Sequence, residues 1–158
     1  MNNNIKLETL KRFLISTNEA TPEELAALTV GNTYNESYNT FEVVGNEYKV
    51  LTDDEADEEA EENILNSLWA FNADFILRNT EFYEESTDFE NKEFINAMQE
   101  LQSRLCESAN SIVKALIYDL DEFVEDAIGL DGRGHIISYY DGVEHWDSEN
   151  DLYIYRTE

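Results

Sequence analysis

Few residues in this chain are of a type that performs chemistry: two histidines, His135 and His145, and one cysteine, Cys106. His135 ends the run Asp131-Gly132-Arg133-Gly134-His135. Chemistry there would use the Arg133 cation to face an anion and the His135 imidazole to move a proton near neutral pH. The run lacks the Lys-Ser/Thr ending of a phosphate-binding loop, and its plainer reading is a tight turn from helix to strand. Neither a His-x-x-x-His nor a Cys-x-x-Cys spacing occurs, so zinc has no ligand set. Asp147, Glu149, Asp151 and Glu158 match four ligand positions of a calcium loop, but Leu152 stands where that loop needs glycine. Acid pairs suited to glycoside hydrolysis carry no information among 36 Asp and Glu residues. Cys106, beside Leu105, reads as a small packed residue. The expectation is a binding protein that needs no metal and no cofactor, not an enzyme.

The acids are the chemistry that remains. They outnumber Lys and Arg 36 to 10, for a net charge of −26, beyond the magnitude of roughly 2–8 that keeps a small domain soluble. They are also clustered. Asp53, Asp54, Glu55, Asp57, Glu58, Glu59, Glu61 and Glu62 fill one stretch without a base. A second cluster holds Glu81, Glu84, Glu85, Asp88, Glu90 and Glu93. A third holds Asp119, Asp121, Glu122, Glu125, Asp126 and Asp131, and a fourth runs from Asp141 to Asp151. Glu-to-Lys pairs one helical turn apart, the usual support of a solvated helix, are missing from the helical clusters.

Carboxylates three or four residues apart on a helix lie about 5–6 Å from one another, a spacing comparable to that of backbone phosphates. Acidic helices can therefore imitate nucleic acid before a basic groove, and opposite charge steers the encounter. The surface expected to do so comprises the eight acids of the Asp53–Glu62 stretch with Glu84, Glu85, Asp121, Glu122, Glu125 and Asp126. The same sign argues against direct DNA or RNA binding and against anionic membrane surfaces. No apolar run approaches the roughly 20 residues of a membrane helix, the first residues lack a signal-peptide core, and a lone cysteine fits a reducing cytosol. Salt adaptation is the bland account of acidity, disfavoured by a composition rich in Asn, Ile and Phe.

The elements that must position these groups follow from periodicity and caps. An aromatic content of 12% and a hydrophobic fraction of 42% mark a globular chain with a core, of a length that fits one domain over 1–158. Ile5, Leu7, Leu10, Phe13 and Leu14 predict a first helix; Thr21-Pro22 with Glu24 predicts a second that stops near Gly31. Residues 38–51 predict a β-hairpin turning at Gly45-Asn46. Thr52 and Glu55 form a capping box for a helix of about six turns running to Ile76. A second long helix follows Asn91, continues past a kink near Asp119 and stops at Gly129. The two are expected to pack antiparallel. Residues 135–140 and 143–146 predict a hairpin about Asp141-Gly142, with 152–156 as its third strand. The fold class is α+β.

The stretches LNSLWAFNADF (65–75) and DEFVEDAI (121–128), Asp131-Gly-Arg-Gly-His135, Tyr140-Asp-Gly142 and Tyr153-Ile-Tyr-Arg156 resemble a group of small phage and prophage accessory proteins. The resemblance covers about residues 56–156 and leaves 1–52 as a variable part. It implies a phage-encoded cytoplasmic protein and carries over no catalytic residue. By analogy with acidic phage inhibitors, it implies a host-directed role, with the nucleic-acid groove of a CRISPR–Cas effector ahead of restriction or recombination enzymes as partner. Alternatives are an acidic module of a phage assembly or replication complex, using Trp69/Phe71 or Tyr139/Tyr140, and a small-ligand binder built on Arg133 and His135.

Overall fold

Some helix ends are fixed by local caps and others by side chains distant in sequence. In the computed structural model, which describes residues 2–158, the chain opens with helices α1 (Asn3–Ser16), α2 (Pro22–Leu25) and α3 (Val30–Thr33). Strands β1 (Tyr34–Asn35), β2 (Thr40–Val43) and β3 (Asn46–Leu51) follow, then α4 (Asp53–Asn66). Helices α5 (Ala73–Arg78), α6 (Glu81–Glu85), α7 (Asp88–Leu105), α8 (Asn110–Leu116) and α9 (Leu120–Ile137) precede β4 (His145–Asp147) and β5 (Leu152–Arg156). The fold is α+β, as expected. Two compact units divide it: residues 1–60 with 131–158, and residues 61–130.

The first unit is built on an antiparallel sheet of order β1-β2-β3-β5-β4. Phe41, Val43, Tyr48, Val50, Leu152 and Ile154 alternate onto one face and pack against Leu7, Leu10 and Leu14 of α1 and Leu25 of α2. Alternation and the helical spacing therefore meet in one core. The Thr21–Glu24 capping box forms, but α2 ends at Leu25, short of Gly31. The β2–β3 turn is Val44-Gly45, one residue earlier than expected, because Val43 pairs with Asn46. Both turn residues have positive φ, 52° and 77°, as the twist of a two-residue hairpin demands. For valine that conformation is strained.

The expected strand 135–140 does not form: residues 135–137 end a helix and 138–140 lead into a turn. Helix α9 is two helical stretches joined at a kink inside the DGRGH segment: the chain passes Gly129, the expected stop, and breaks instead at Gly132 (φ 77°, ψ 153°). The helical hydrogen bond from Ser138 N–H to the Gly134 carbonyl continues at 2.8 Å. Gly134 is required there: an added Cβ would sit 2.7 Å from the Glu144 nitrogen and 2.8 Å from the Gly142 oxygen. Asp141-Gly142 closes the helix, the Asp141 carboxylate accepting from the Ser138 hydroxyl (2.7 Å) and the Val143 amide (2.9 Å). The C-terminal hairpin is β4–β5, and it joins the larger sheet beside β3.

The second unit is helical, with an aromatic centre. Phe123 of α9 meets Phe71 edge-on at 5.1 Å and Phe75 of α5 at 4.8 Å. Ile64, Leu68, Ile76, Leu77, Val113 and Phe123 are buried. Neither expected long helix is continuous. α4 ends at Asn66 because side chains from elsewhere take over the backbone groups beyond it. The Asn110 amide donates to the Leu65 carbonyl (2.8 Å) and its oxygen accepts from the Trp69 amide (3.1 Å). Gln102 donates to the Trp69 and Phe71 carbonyls at 2.8 and 2.7 Å. Asn72 then caps α5, accepting from the Asp74 amide. The later helix breaks at Cys106, whose φ is 49°.

Candidate functional site

Helical spacing sorts the acids of α4 into separate faces. Asp53 and Asp57 share one, Glu55 and Glu59 another, and Asp54, Glu58, Glu61 and Glu62 the third. The capping box at Thr52 forms: the Thr52 amide donates to Glu55 at 2.8 Å and the Glu55 amide to the Thr52 hydroxyl at 3.3 Å. Glu55 also pairs with Lys6 of α1 at 2.6 Å, the lysine being only 2% exposed. Burial pushes the Glu55 carboxyl up, but the Lys6 ammonium and the Thr52 amide outweigh it and hold the carboxyl below its ordinary range. Glu59 pairs with Lys49 of β3. The third face stays exposed: Asp54, Glu58, Glu61 and Glu62 make no ion pair among the described residues.

Arg133 is the hub of the first face. Its Nη1 donates to Asp53 at 2.7 Å and to Asp57 at 2.9 Å, while Nε and Nη2 fork onto Glu144 at 3.0 and 3.3 Å. The guanidinium also lies 4.5 Å over the Tyr153 ring. Burial pulls its pKa down, but Glu144, Asp53 and Asp57 together raise it above the ordinary arginine value. Glu144 further accepts from the Tyr155 hydroxyl at 2.5 Å. Burial and the Glu144 charge push that phenol well above its usual range. His135 is exposed and makes no hydrogen bond to Arg133 among the described residues. The geometry makes Arg133 an internal clamp, so the candidate Arg133–His135 pair is not assembled.

A second assembly lies within the helical unit. The isolated bridge between Thr80 and Ile117 and the bond from Tyr118 N–H to the Asn79 carbonyl (2.9 Å) join the α5–α6 junction to the α8–α9 junction. Phe82 of α6 stacks on Phe94 of α7 at 5.7 Å, which fixes α6. Between these segments opens a groove of about 1140 Å³, lined by Glu81, Glu84, Glu85, Asp119, Glu122 and Asp126 with Phe75, Phe82, Tyr118 and Leu130. Its single cation, Arg78, is held by Asp74 at 2.7 Å.

The groove therefore gathers four expected residues, Glu84, Glu85, Glu122 and Asp126, from sequence clusters far apart. Asp121 and Glu125, on the same helix, are exposed but do not line it. The Asp53–Ala60 acids belong to the other unit. Sequence reasoning did not select Phe75, Phe82, Tyr118 or Leu130, and placed Glu81 and Asp119 in clusters without assigning them a role. Glu81, Phe82, Tyr118 and Asp119 stand close in sequence to the chosen acids, whereas Phe75 and Leu130 carried no such signal.

The ion-pair pattern is lopsided. Every Lys and Arg except Lys92 and Lys114 pairs with an acid among the described residues. None of the six groove carboxylates does. Glu81–Glu85 and Glu122–Asp126 are like charges one helical turn apart, each costing roughly 0.2–0.5 kcal/mol. Of the aromatics named for the alternative binding surface, Phe71 packs into the aromatic centre, whereas Tyr139 and Tyr140 are exposed. No metal-ligand cluster is present among the described residues, and none of their helices is long and apolar enough to cross a membrane. Comparison with protein-family models, curated proteins and solved structures finds no match for this chain.

Proposed function

We propose that this chain is a phage-type anti-defence protein that binds, rather than catalyses. It presents carboxylates to the basic nucleic-acid-binding groove of a host enzyme in the bacterial cytoplasm, with a CRISPR–Cas effector the favoured target. The observation that carries this reading is the division of labour among the acids. The chain's own cations satisfy two faces of α4, while the groove acids and the outer face of α4 are left without a cation. Unpaired, mutually repelling carboxylates gain most from a partner that supplies positive charge, and such an encounter is fast and salt-sensitive.

The test is capture from bacterial lysate at two salt concentrations, followed by competition with DNA and RNA. The expected result is a basic nucleic-acid enzyme that is retained at low salt and displaced by its nucleic acid. Reversing Asp54, Glu58, Glu61 and Glu62 to Lys should abolish that capture with the fold intact. Capture that persists through these reversals at low salt refutes the mimicry. A second reading, an acidic module of a phage assembly, is supported by the exposed Tyr139 and Tyr140 side chains. It predicts capture of phage components that is insensitive to nucleic acid.

A further inference from the structure

We propose that the groove of the helical unit is a docking site for a basic amphipathic peptide segment of the partner, one that sets arginine or lysine beside leucine-like side chains. This rests on the functional reading above and adds the part of the partner that is recognised. The lining argues for a segment rather than a flat phosphate-binding face. At about 1140 Å³ the groove slightly exceeds the range of roughly 300–1,000 Å³ typical of small-ligand sites. It is concave, so it takes a protruding element, here a basic segment bordering the partner's nucleic-acid groove, while the outer face of α4 is what enters that groove.

Its chemistry is mixed in a specific way. Tyr118 is 72% exposed and Leu130 72%, with Phe82 at 45%, and all three share the groove with six carboxylates. Free nucleic acid is repelled by such a lining. A guanidinium or ammonium is attracted twice, by the carboxylates and by the faces of Phe82 and Tyr118. The apolar edge of an amphipathic helix covers Leu130 and the remaining ring surface, as in helix-in-groove recognition. Both halves of the complement are needed: a purely cationic peptide leaves the rings wet, and a purely apolar one leaves the acids unpaired.

The test uses the full chain with a fluorescein-labelled amphipathic Arg/Leu helical peptide as probe, read by anisotropy at low salt. A peptide with Glu in place of Arg serves as the charge control. Two groove variants are compared, Glu84→Gln with Glu122→Gln, and Tyr118→Ala, whose exposed ring makes unfolding a small risk. Circular dichroism checks that each is folded. The charge-matched comparison is Glu93→Gln with Glu107→Gln, acids of the same unit outside the groove. Each groove variant should weaken binding by about tenfold or more, and the comparison variant by less than about twofold.

Equal losses in groove and comparison variants overturn the groove as a site and reduce it to diffuse attraction. So does a failure of the Arg/Leu peptide to bind the unaltered chain. Neither result touches the capture experiment above. Conversely, specific peptide binding with no nucleic-acid enzyme captured leaves the groove standing and removes the functional reading.

Discussion

Replacing Arg133 with methionine keeps most of the stem and deletes the charge that three carboxylates share. The fork onto Glu144, which is 29% exposed, should be worth about 1.5–3 kcal/mol as a charge-assisted pair. Asp53 and Asp57 are 60% and 62% exposed, so water screens them and each contributes only about 0.5 kcal/mol. The contact over Tyr153 adds about 0.5–1 kcal/mol. Arg133→Met should therefore destabilise the first unit by about 3–5 kcal/mol, with Glu144 left holding only the Tyr155 hydroxyl. The two tryptophans allow the loss to be located, since Trp146 lies in the first unit and Trp69 in the second. Urea unfolding of single-tryptophan versions, Trp69→Phe and Trp146→Phe, reports each unit separately. The Trp146 transition should move down by roughly 1.5–2.5 M urea for a slope of about 2 kcal/mol/M. A loss below about 1 kcal/mol refutes the clamp, because the guanidinium would then be free to meet an external anion.

Two further outcomes follow from local geometry. Val44→Asn should stabilise the first unit by about 1 kcal/mol, because asparagine tolerates the positive φ that valine is forced to adopt; a fall in its thermal midpoint contradicts the turn assignment. Glu55→Gln should cost roughly 2 kcal/mol at neutral pH, discounted because the carboxylate is 34% exposed, while Lys6 is 2% exposed and loses its partner. The folded carboxyl titrates below its unfolded value. Its contribution is thus present above the unfolded pKa and lost as pH falls through the folded one. The gap between variant and parent in denaturation midpoint must close on acidification; a gap independent of pH would contradict the pairing.

What was legible in the sequence was whatever a few neighbouring residues decide. The boxes at Thr21–Glu24 and Thr52–Glu55 depend on three-residue spacings, and both form. The β2–β3 hairpin was visible in its alternation, although Asn46 drew the turn one residue too far. The helix breaks were not legible, because their causes are distant. Asn110 and Gln102 satisfy backbone groups 31 to 45 residues away, and an apolar stripe reads the same across the break. Ile136 and Ile137 looked like strand because β-branched residues favour sheets, yet Gly134 lets the Gly142–Glu144 backbone close over a helix. The acids were legible as clusters but not as faces. Lys6 and Arg133 reach α4 from 49 and 76–80 residues away, and only the fold separates the satisfied acids from the remainder.

The order of strands has a consequence for the chain as it is made. β5 lies between β3 and β4 in the sheet, yet it is synthesised after the other four strands. Until then β3 offers an open edge carrying Val50 and Leu51, two residues that end up fully buried. An unfinished apolar edge invites pairing with another nascent chain. The acids synthesised soon afterwards are Asp53, Asp54, Glu55, Asp57, Glu58 and Glu59, charges of one sign that directly follow that strand in the chain. A run of like charge flanking an apolar strand is the pattern by which gatekeeper residues oppose aggregation of a half-built sheet, and Arg133, which pairs with Asp53 and Asp57, is made only after residues 61–130.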